Sequence, residues 1–259
     1  MNKSDIYFYV LIRSYKSLQF FDRCIDSVLS QKYKRFKIIF VDDNSGYSDK
    51  TKKYIREKLE GHIVIFNKTR RYSVRNAYTA LHKYAKLSEA VVFNLDGDDW
   101  MLSDTTLSEI SKVYKRDKNC WMTYGECLLW SEDGLSKKAS RYHIPYTNIP
   151  YDISVVNKKR YRQEPFLPLH PRTWKVWLFK RIKKSDLQNS NGEWLRFAED
   201  LALFYPMLEM ANGNVRCLKS AFSVYNQKNI KNDLKVNTIN LLKDELTIRR
   251  KRIYETVKK

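Results

Sequence analysis

Four predominantly apolar, strand-length runs, each followed by a segment with helical spacing, constrain the fold of this chain more than any other feature. They cover residues 6–12, 36–41, 62–66 and 90–95. A strand that is apolar throughout is typical of a parallel sheet, where helices bury both faces. Strands alternating with helices build such a sheet. The sequence therefore predicts an α/β fold with a mostly parallel, Rossmann-like sheet flanked by helices.

Apolar periodicity also predicts the helices and the later elements. Between the runs it predicts helices over residues 18–30, 73–87 and about 48–59, the last capped by Ser48 or Asp49. After Trp100 the alternation weakens, and four of the six prolines fall in 134–170, where irregular loops are expected. The remaining predictions are helices over 104–114, 171–182, 193–211 and 237–258, and strands over 120–130, 214–218 and 222–226.

Acidic residues stand directly after two of the apolar runs. Asp96, Asp98 and Asp99 lie within four positions after residues 90–95, and Asp42 and Asp43 follow residues 36–41. Like charges at a strand end repel one another, and a divalent cation would relieve the repulsion. Hard carboxylate oxygens suit Mg²⁺ or Mn²⁺. Together these clusters indicate an active site that holds a metal and a phosphorylated substrate.

Polar side chains gather at only one end of the predicted strands. In open α/β sheets, ligands bind outside the carboxyl ends of the strands. The sets at those ends are 13–15 (Arg-Ser-Tyr), 42–44, 67–71 and 96–99. This one-sided distribution supports a ligand site more strongly than any single acid does.

The net charge and the cysteines limit the partners and the cellular environment that we expect for the protein. A net charge of +20 suits anionic partners such as nucleotides or phosphates, although a lysine-rich surface that aids solubility accounts for it equally well. None of the four cysteines forms a C-x-x-C pair, so Cys24, on an apolar helix face, is expected to be a reduced core thiol. With no secretory signal and no apolar run near 20 residues, we expect a cytoplasmic protein, with peripheral contact at a membrane left open.

The sequence lacks the motifs of several other classes of nucleotide-, calcium- and nucleic-acid-binding proteins. Its seven glycines form neither G-x-G-x-x-G nor a P-loop, which argues against dinucleotide oxidoreductases and P-loop enzymes. Trp100 and Met101 occupy positions that an EF-hand would need for a ligand and a glycine. No motif of a DNA- or RNA-binding module accompanies the basic clusters.

The ordered motifs resemble those of family-2 glycosyltransferases with the GT-A fold. The resemblance spans roughly residues 6–228, and no single motif carries it alone. The matching segments are 9–15 (YVLIRSY), 24–31 (CIDSVLSQ), 39–45 (IFVDDNS), 74–77 (VRNA), 95–100 (LDGDDW), 170–174 (HPRTW) and 198–203 (AEDLAL).

The resemblance implies a metal-dependent, inverting enzyme of the hexosyltransferase class. It would use Mn²⁺ or Mg²⁺ and transfer a sugar from a nucleotide-sugar donor, with a UDP-sugar favoured, to a glycan, lipid or protein acceptor. It also implies a GT-A domain over 1–228, with a nucleotide-binding half to about 118 and an acceptor half from 119. The remaining segment, 229–259, is predicted from its own residue pattern to form a C-terminal basic amphipathic helix.

Family roles transfer to matching positions. Asp200, with its neighbour Glu199, resembles the catalytic base, and Asp98 with Asp96 resembles the metal-binding pair, although Asp99 could take the part of Asp98. His170 and Arg172 resemble acceptor-side residues. The positions that resemble nucleotide-sugar contacts are Arg13, Ser14, Tyr15, Asp43, Arg71, Arg75, Asp96, Gly97 and Trp100.

Two other functions fit parts of the sequence. A nucleotidyltransferase would share the metal-binding acids but would release pyrophosphate. A polyanion- or nucleic-acid-binding protein would account for the charge, and we expect no specific nucleic-acid partner. The sugar, the acceptor and the oligomeric state, a homodimer included, are not encoded in any readable motif.

Overall fold

The computed structural model describes residues 5–132, 134–136, 149–229 and 237–258. Its strands are β1 (Phe8–Ser14), β2 (Phe36–Asp42), β3 (Ile63–Phe66), β4 (Val91–Asp96), β5 (Trp100–Met101), β6 (Met122–Ser131), β7 (Gly134–Ser136), β8 (Arg172–Lys175) and β9 (Val215–Asn226). Its α-helices are α1 (Leu18–Leu29), α2 (Asp49–Lys58), α3 (Tyr72–Tyr84), α4 (Thr106–Arg116), α5 (Ile153–Asn157), α6 (Val176–Phe179), α7 (Glu199–Ala211) and α8 (Thr238–Arg249). Short 3₁₀ helices cover Arg160–Gln163 and Lys184–Leu187.

One curved sheet runs through the molecule in the order β3-β2-β1-β4-β8-β6-β9-β5, with β7 paired to β6. Strands β3, β2, β1 and β4 are parallel, which confirms the predicted Rossmann-like arrangement. The sheet then turns mixed, because β8 lies antiparallel to both β4 and β6. The carboxyl ends of β1, β2 and β4 therefore lie side by side, as the sequence predicted.

Two apolar cores cover the two faces of the sheet. In β1, Phe8 and Val10 contribute to the core under α1 and α4, and Tyr9 and Leu11 to the core under α3 and α7. All four are buried, which explains why the strand is apolar throughout. Cys24 is also buried, in agreement with its predicted place in the core.

Beyond residue 130 the local prediction was wrong in several places. Residues 172–175 form the strand β8 rather than the start of a helix, because their partners β4 and β6 are far away in sequence. The two strands predicted near residue 220 form one long strand, β9. Within 134–170, a short strand and α5 interrupt the predicted irregular loop, and residues 137–148 lie outside the described ones.

The C-terminal helix is shorter than predicted and packs on the domain. It ends at Arg249, so residues 250–258 are not helical. A buried ion pair anchors it: Arg162 binds Glu209 of α7 with its Nε 2.6 Å from Oε1, and its Nη1 donates to the carbonyl of Ile248 at 2.6 Å. The helix is thereby tied to α7. Among the described residues, no helix combines the length and apolar character needed to cross a bilayer.

Candidate active site at the carboxyl edge of the sheet

The site is built where the ends of β1 and β4 approach each other closely. The amide of Gly97, directly after β4, donates to the carbonyl of Arg13 at 2.9 Å. A Cβ at position 97 would lie 2.9 Å from both that carbonyl oxygen and the Cβ of Ser14. Only glycine fits this contact without a shift of the backbone. The acidic turn 96–99 is therefore held against the end of β1.

Asp96, Asp99 and His170 form a cluster that could hold a metal ion. Each offers one ligand atom, and these atoms lie within 4.8 Å of one another. His170 Nε2 is 3.9 Å from Asp96 Oδ2, and its Nδ1 is 4.0 Å from Asp99 Oδ2. His170, predicted on the acceptor side, is thus placed beside the acids. The imidazole also contacts the ring of Tyr225, at a centroid distance of 5.5 Å.

The electrostatics of this cluster favour a cation. Asp99 Oδ1 accepts from the amide of Asn226 at 2.8 Å, but its buried Oδ2 has no hydrogen-bond partner among the described residues. Burial, reinforced by Asp98 and Asp96, raises the pKa of Asp99 well above its ordinary value. Burial and then Arg172 lower the pKa of His170 to about 4, so the imidazole is neutral and keeps a lone pair. These residues fit a divalent metal.

Asp98 lies on the same turn but is engaged differently. Its Oδ2 accepts from Asn229 Nδ2 at 2.7 Å, and it is not part of the three-residue cluster. Burial and then the charge of Asp96 raise its pKa to about 6. The pairing of Asp98 with Asp96 as metal ligands therefore stays a prediction. No sequence motif pointed to Asn229 as the partner of Asp98.

Arg13 links the acidic turn to the start of α7. Its Nη2 donates to Asn94 Oδ1 at 2.9 Å and to Asp96 Oδ1 at 3.0 Å, and its Nη1 lies 2.5 Å from Glu199 Oε1. Its guanidinium is buried, so these charges compensate one another away from water. Burial nevertheless raises the pKa of Glu199 to about 7. The predicted nucleotide-sugar residue Arg13 thus joins both predicted acidic sets.

Asp200 is the more accessible acid at the start of α7. Its side chain is 36% exposed, against 10% for Glu199. It pairs with Arg172 Nη1, whose Nε is fixed by the carbonyl of Pro168 at 2.8 Å. Burial opposes ionisation of Asp200, but Arg172 followed by His170 lowers its pKa below the ordinary value. Asp200 is therefore an ionised carboxylate that solvent can reach.

Asp43 uses its carboxylate to hold the backbone that leads into α3. Its Oδ1 accepts from the amide of Arg71 at 2.7 Å and from Asn67 Nδ2 at 2.9 Å, and its Oδ2 accepts from the amide of Tyr72 at 2.8 Å. Tyr72 has a positive φ of 62°, a strained conformation that these bonds help to hold. The predicted contact of Asp43 with a nucleotide base stays a prediction.

The other predicted donor residues lie around this edge. Ser14 Oγ bonds Ser17 Oγ at 2.7 Å, and Tyr15 lies under the guanidinium of Arg70, 3.8 Å from its ring centroid. Trp100 meets Trp130 edge to face at 5.2 Å. Arg71 and Arg75 line a pocket beside α3. None of these contacts by itself tests a role in donor binding.

Comparison with known proteins agrees with this architecture. The sequence model of the family described as Glycosyl transferase family 2 matches residues 9–183. The structure of Staphylococcus aureus TarS 1–349 superposes with a TM-score of 0.60 at 17% identity, covering 85% of this chain and 60% of that one. Its complex with UDP-GlcNAc gives a TM-score of 0.58 at 16% identity, covering 86% and 59%.

A third similar structure is the mannosyltransferase PcManGT from Pyrobaculum calidifontis, in complex with GDP-Man and Mn²⁺. It gives a TM-score of 0.55 at 15% identity and covers 84% of this chain and 56% of that one. The chain thus spans less than two thirds of these neighbours, and at such identities the likeness shows the fold. No curated protein matches the chain by sequence.

Proposed function

The chain belongs to glycosyltransferase family 2, and on that premise we propose that it transfers a sugar, with inversion, from a nucleotide-sugar to an acceptor hydroxyl. A UDP-sugar is the favoured donor, because two of the similar structures were determined with UDP-GlcNAc and with UDP. The observation that carries the proposal is the cluster of Asp96, Asp99 and His170 beside the paired acids of α7.

Asp96, Asp99 and His170 would hold a Mn²⁺ or Mg²⁺ ion. Support comes from the unpartnered, buried Asp99 Oδ2 and from the neutral imidazole of His170. A divalent cation there would neutralise charge on the diphosphate leaving group. Arg13 keeps Asp96 in place through its Nη2, so the Asp96 carboxylate is already ordered as a metal ligand before the donor binds.

Asp200 is the proposed general base. Its ionised, accessible carboxylate would take the proton from the acceptor hydroxyl as that oxygen attacks the anomeric carbon. The bond from the anomeric carbon to the diphosphate oxygen breaks in the same displacement, and the nucleoside diphosphate leaves. Arg172 orients Asp200, while Glu199 is occupied by Arg13 and therefore positions the helix start.

The proposal is tested by incubating the protein with UDP- and GDP-sugars in the presence and absence of Mn²⁺. We expect metal-dependent release of the nucleoside diphosphate, together with a rise in Tm when the nucleotide and Mn²⁺ are added together. Release of pyrophosphate from nucleoside triphosphates would indicate a nucleotidyltransferase instead. Asp200→Asn, which keeps the size of the side chain, should bind the donor and lose transfer.

A further inference from the structure

The outward side of α8 carries an apolar stripe that is exposed to solvent. The stripe consists of Ile239, Leu242 and Leu246, which are 70%, 51% and 52% exposed. Residues three, four and seven positions apart lie on one face of a helix, so these three side chains form one continuous surface. Ile253, in the segment that follows the helix, adds a fourth exposed apolar side chain.

Basic side chains lie on the same face as the stripe. Lys243 is four positions after Ile239, and Arg250, which caps the helix, is four positions after Leu246. Positions four apart are neighbours on a helix surface. Lys243 and Arg250 are both exposed, and neither forms an ion pair with a carboxylate among the described residues. The outward face of α8 therefore combines apolar surface with positive charge that the protein leaves available.

The two acids of α8 are both occupied within the protein. Asp244 Oδ2 accepts from the amides of Arg196 and Phe197 at 2.9 and 2.8 Å. Glu245 Oε1 accepts from Arg249 Nε at 2.7 Å, one turn further along the helix. Neither carboxylate is therefore left to neutralise the bases of the outward face, and the charge that this face presents is positive.

Helix α2 shows how a helix of this protein that faces only water differs. Its exposed residues are all charged apart from Tyr54, whose hydroxyl donates to Asp22. Water solvates such a face well, whereas a contiguous exposed apolar surface bordered by polar residues is typical of an interaction site. The outward face of α8 is of the second kind.

We propose that α8 lies on the surface of an anionic phospholipid bilayer. The stripe would insert between the lipids, while Lys243 and Arg250 would meet the lipid phosphates. With 12 residues the helix is too short to cross the hydrocarbon core, so it would lie along the surface.

Charge complementarity favours this occupant over two others. A second copy of the chain would bring a further net charge of +20 and be repelled. A dissolved polyanion would pair with the bases but leave the apolar stripe in water. An anionic bilayer supplies negative charge and an apolar interior together, and this inference does not depend on the proposed transfer reaction.

The test is co-sedimentation of the full chain with lipid vesicles. Vesicles of equal parts phosphatidylglycerol and phosphatidylcholine should bind the protein at least about tenfold more tightly than vesicles of phosphatidylcholine alone, because only the mixed vesicles are negatively charged. Leu242→Gln/Leu246→Gln removes apolar surface and should weaken binding to the mixed vesicles at least about tenfold. Lys243→Gln/Arg250→Gln removes two charges and should weaken it by a similar factor.

Each variant has a matched control outside α8. Leu87→Gln/Leu135→Gln replaces two leucines of similar exposure. Lys50→Gln/Arg116→Gln removes the same two charges from exposed positions of α2 and α4. Both controls should leave the affinity for the mixed vesicles within about twofold. Circular dichroism checks that every variant is folded.

Three results would overturn the assignment. Absence of binding to the mixed vesicles would exclude a membrane role, and a dimer that Leu242→Gln/Leu246→Gln converts to a monomer would then assign the face to a second copy. Equal binding to both kinds of vesicle would exclude charge complementarity as its basis. Equal losses in the α8 variants and their controls would reduce the effect to the overall charge and apolar surface of the protein.

Discussion

The acids after β2 and after β4 look alike in sequence but differ in how their oxygens are satisfied. Both oxygens of Asp43 accept hydrogen bonds from the protein. Asp99, in the turn after β4, has one oxygen bonded to an amide and the other buried without a partner. A carboxylate satisfied by N–H donors is stable by itself, whereas a buried, unsatisfied one needs a cation or a proton.

This difference separates an acid that builds the site from acids that would bind a ligand in it. Asp43 fixes the loop before α3 by accepting hydrogen bonds from the amides of Arg71 and Tyr72. In turn 96–99, burial and then the charge of neighbouring acids raise the pKa values of Asp98 and Asp99. Position at a strand end therefore marks the neighbourhood of a site, and the donors around each oxygen decide its role.

The largest effect is expected for Asp96→Asn. Asp96 joins the proposed metal cluster to Arg13, so its loss should reduce Mn²⁺-dependent turnover by roughly a thousandfold, the upper range for one preorganised electrostatic group. Steady-state kinetics at varied Mn²⁺ measures it, and circular dichroism checks the fold. Near-normal turnover by the folded variant would remove Asp96 from the metal site.

Replacing Asp99 and Asp98 separately sharpens the comparison within the turn. We expect Asp99→Asn to cost about a hundredfold in turnover and Asp98→Asn about tenfold, since ligand loss exceeds loss of a supporting contact. Asp98 is bonded to Asn229, whereas Asp99 belongs to the cluster with His170. Turnover at saturating Mn²⁺ and the apparent Mn²⁺ affinity are both measured. The opposite order would restore the pairing of Asp96 with Asp98 predicted from sequence.

Asp43→Ala should act mainly on stability. It leaves the amides of Arg71 and Tyr72 without their partner, which costs about 1–3 kcal/mol. For a chain of this size, each kcal/mol lowers Tm by roughly 2–4 °C. Differential scanning calorimetry measures the change, and Asp43→Asn, which keeps one acceptor oxygen, is the matched control. An unchanged Tm in Asp43→Ala would contradict its anchoring role.

The smallest effect is a pH dependence of stability that comes from Asp98 in the turn after β4. Because the pKa of Asp98 is raised to about 6, the folded, metal-free protein keeps the proton of Asp98 up to a higher pH than the unfolded chain does. Stability from this group is present at low pH and is lost as the pH rises through about 6. Bound Mn²⁺ favours the ionised acids. The rise in Tm that Mn²⁺ causes should therefore become larger as the pH rises through about 6. A Mn²⁺-induced rise in Tm that becomes smaller with rising pH would contradict a metal site at these acids.

Prediction from sequence succeeded where interactions are local or repeat along the chain. Strands β1, β2 and β4 and helices α1 and α3 were recovered nearly at their observed bounds, because burial on both faces imposes apolar runs. Strand β8 was missed, since Arg172–Lys175 is a strand only through pairing with β4 and β6. A basic amphipathic helix was predicted to residue 258, but it ends at Arg249.

The sequence alone determined the family, the parallel half of the sheet and the edge at which the acids gather, because motif order and apolar periodicity are properties of successive residues. Tertiary structure decided which oxygens are satisfied. It brought His170 to Asp96 and Asp99, Glu199 to Arg13, and Arg196 to Arg70 across long separations in the chain. Hydrogen-bond donors and counter-charges come from whatever the fold places nearby, so no local pattern records them.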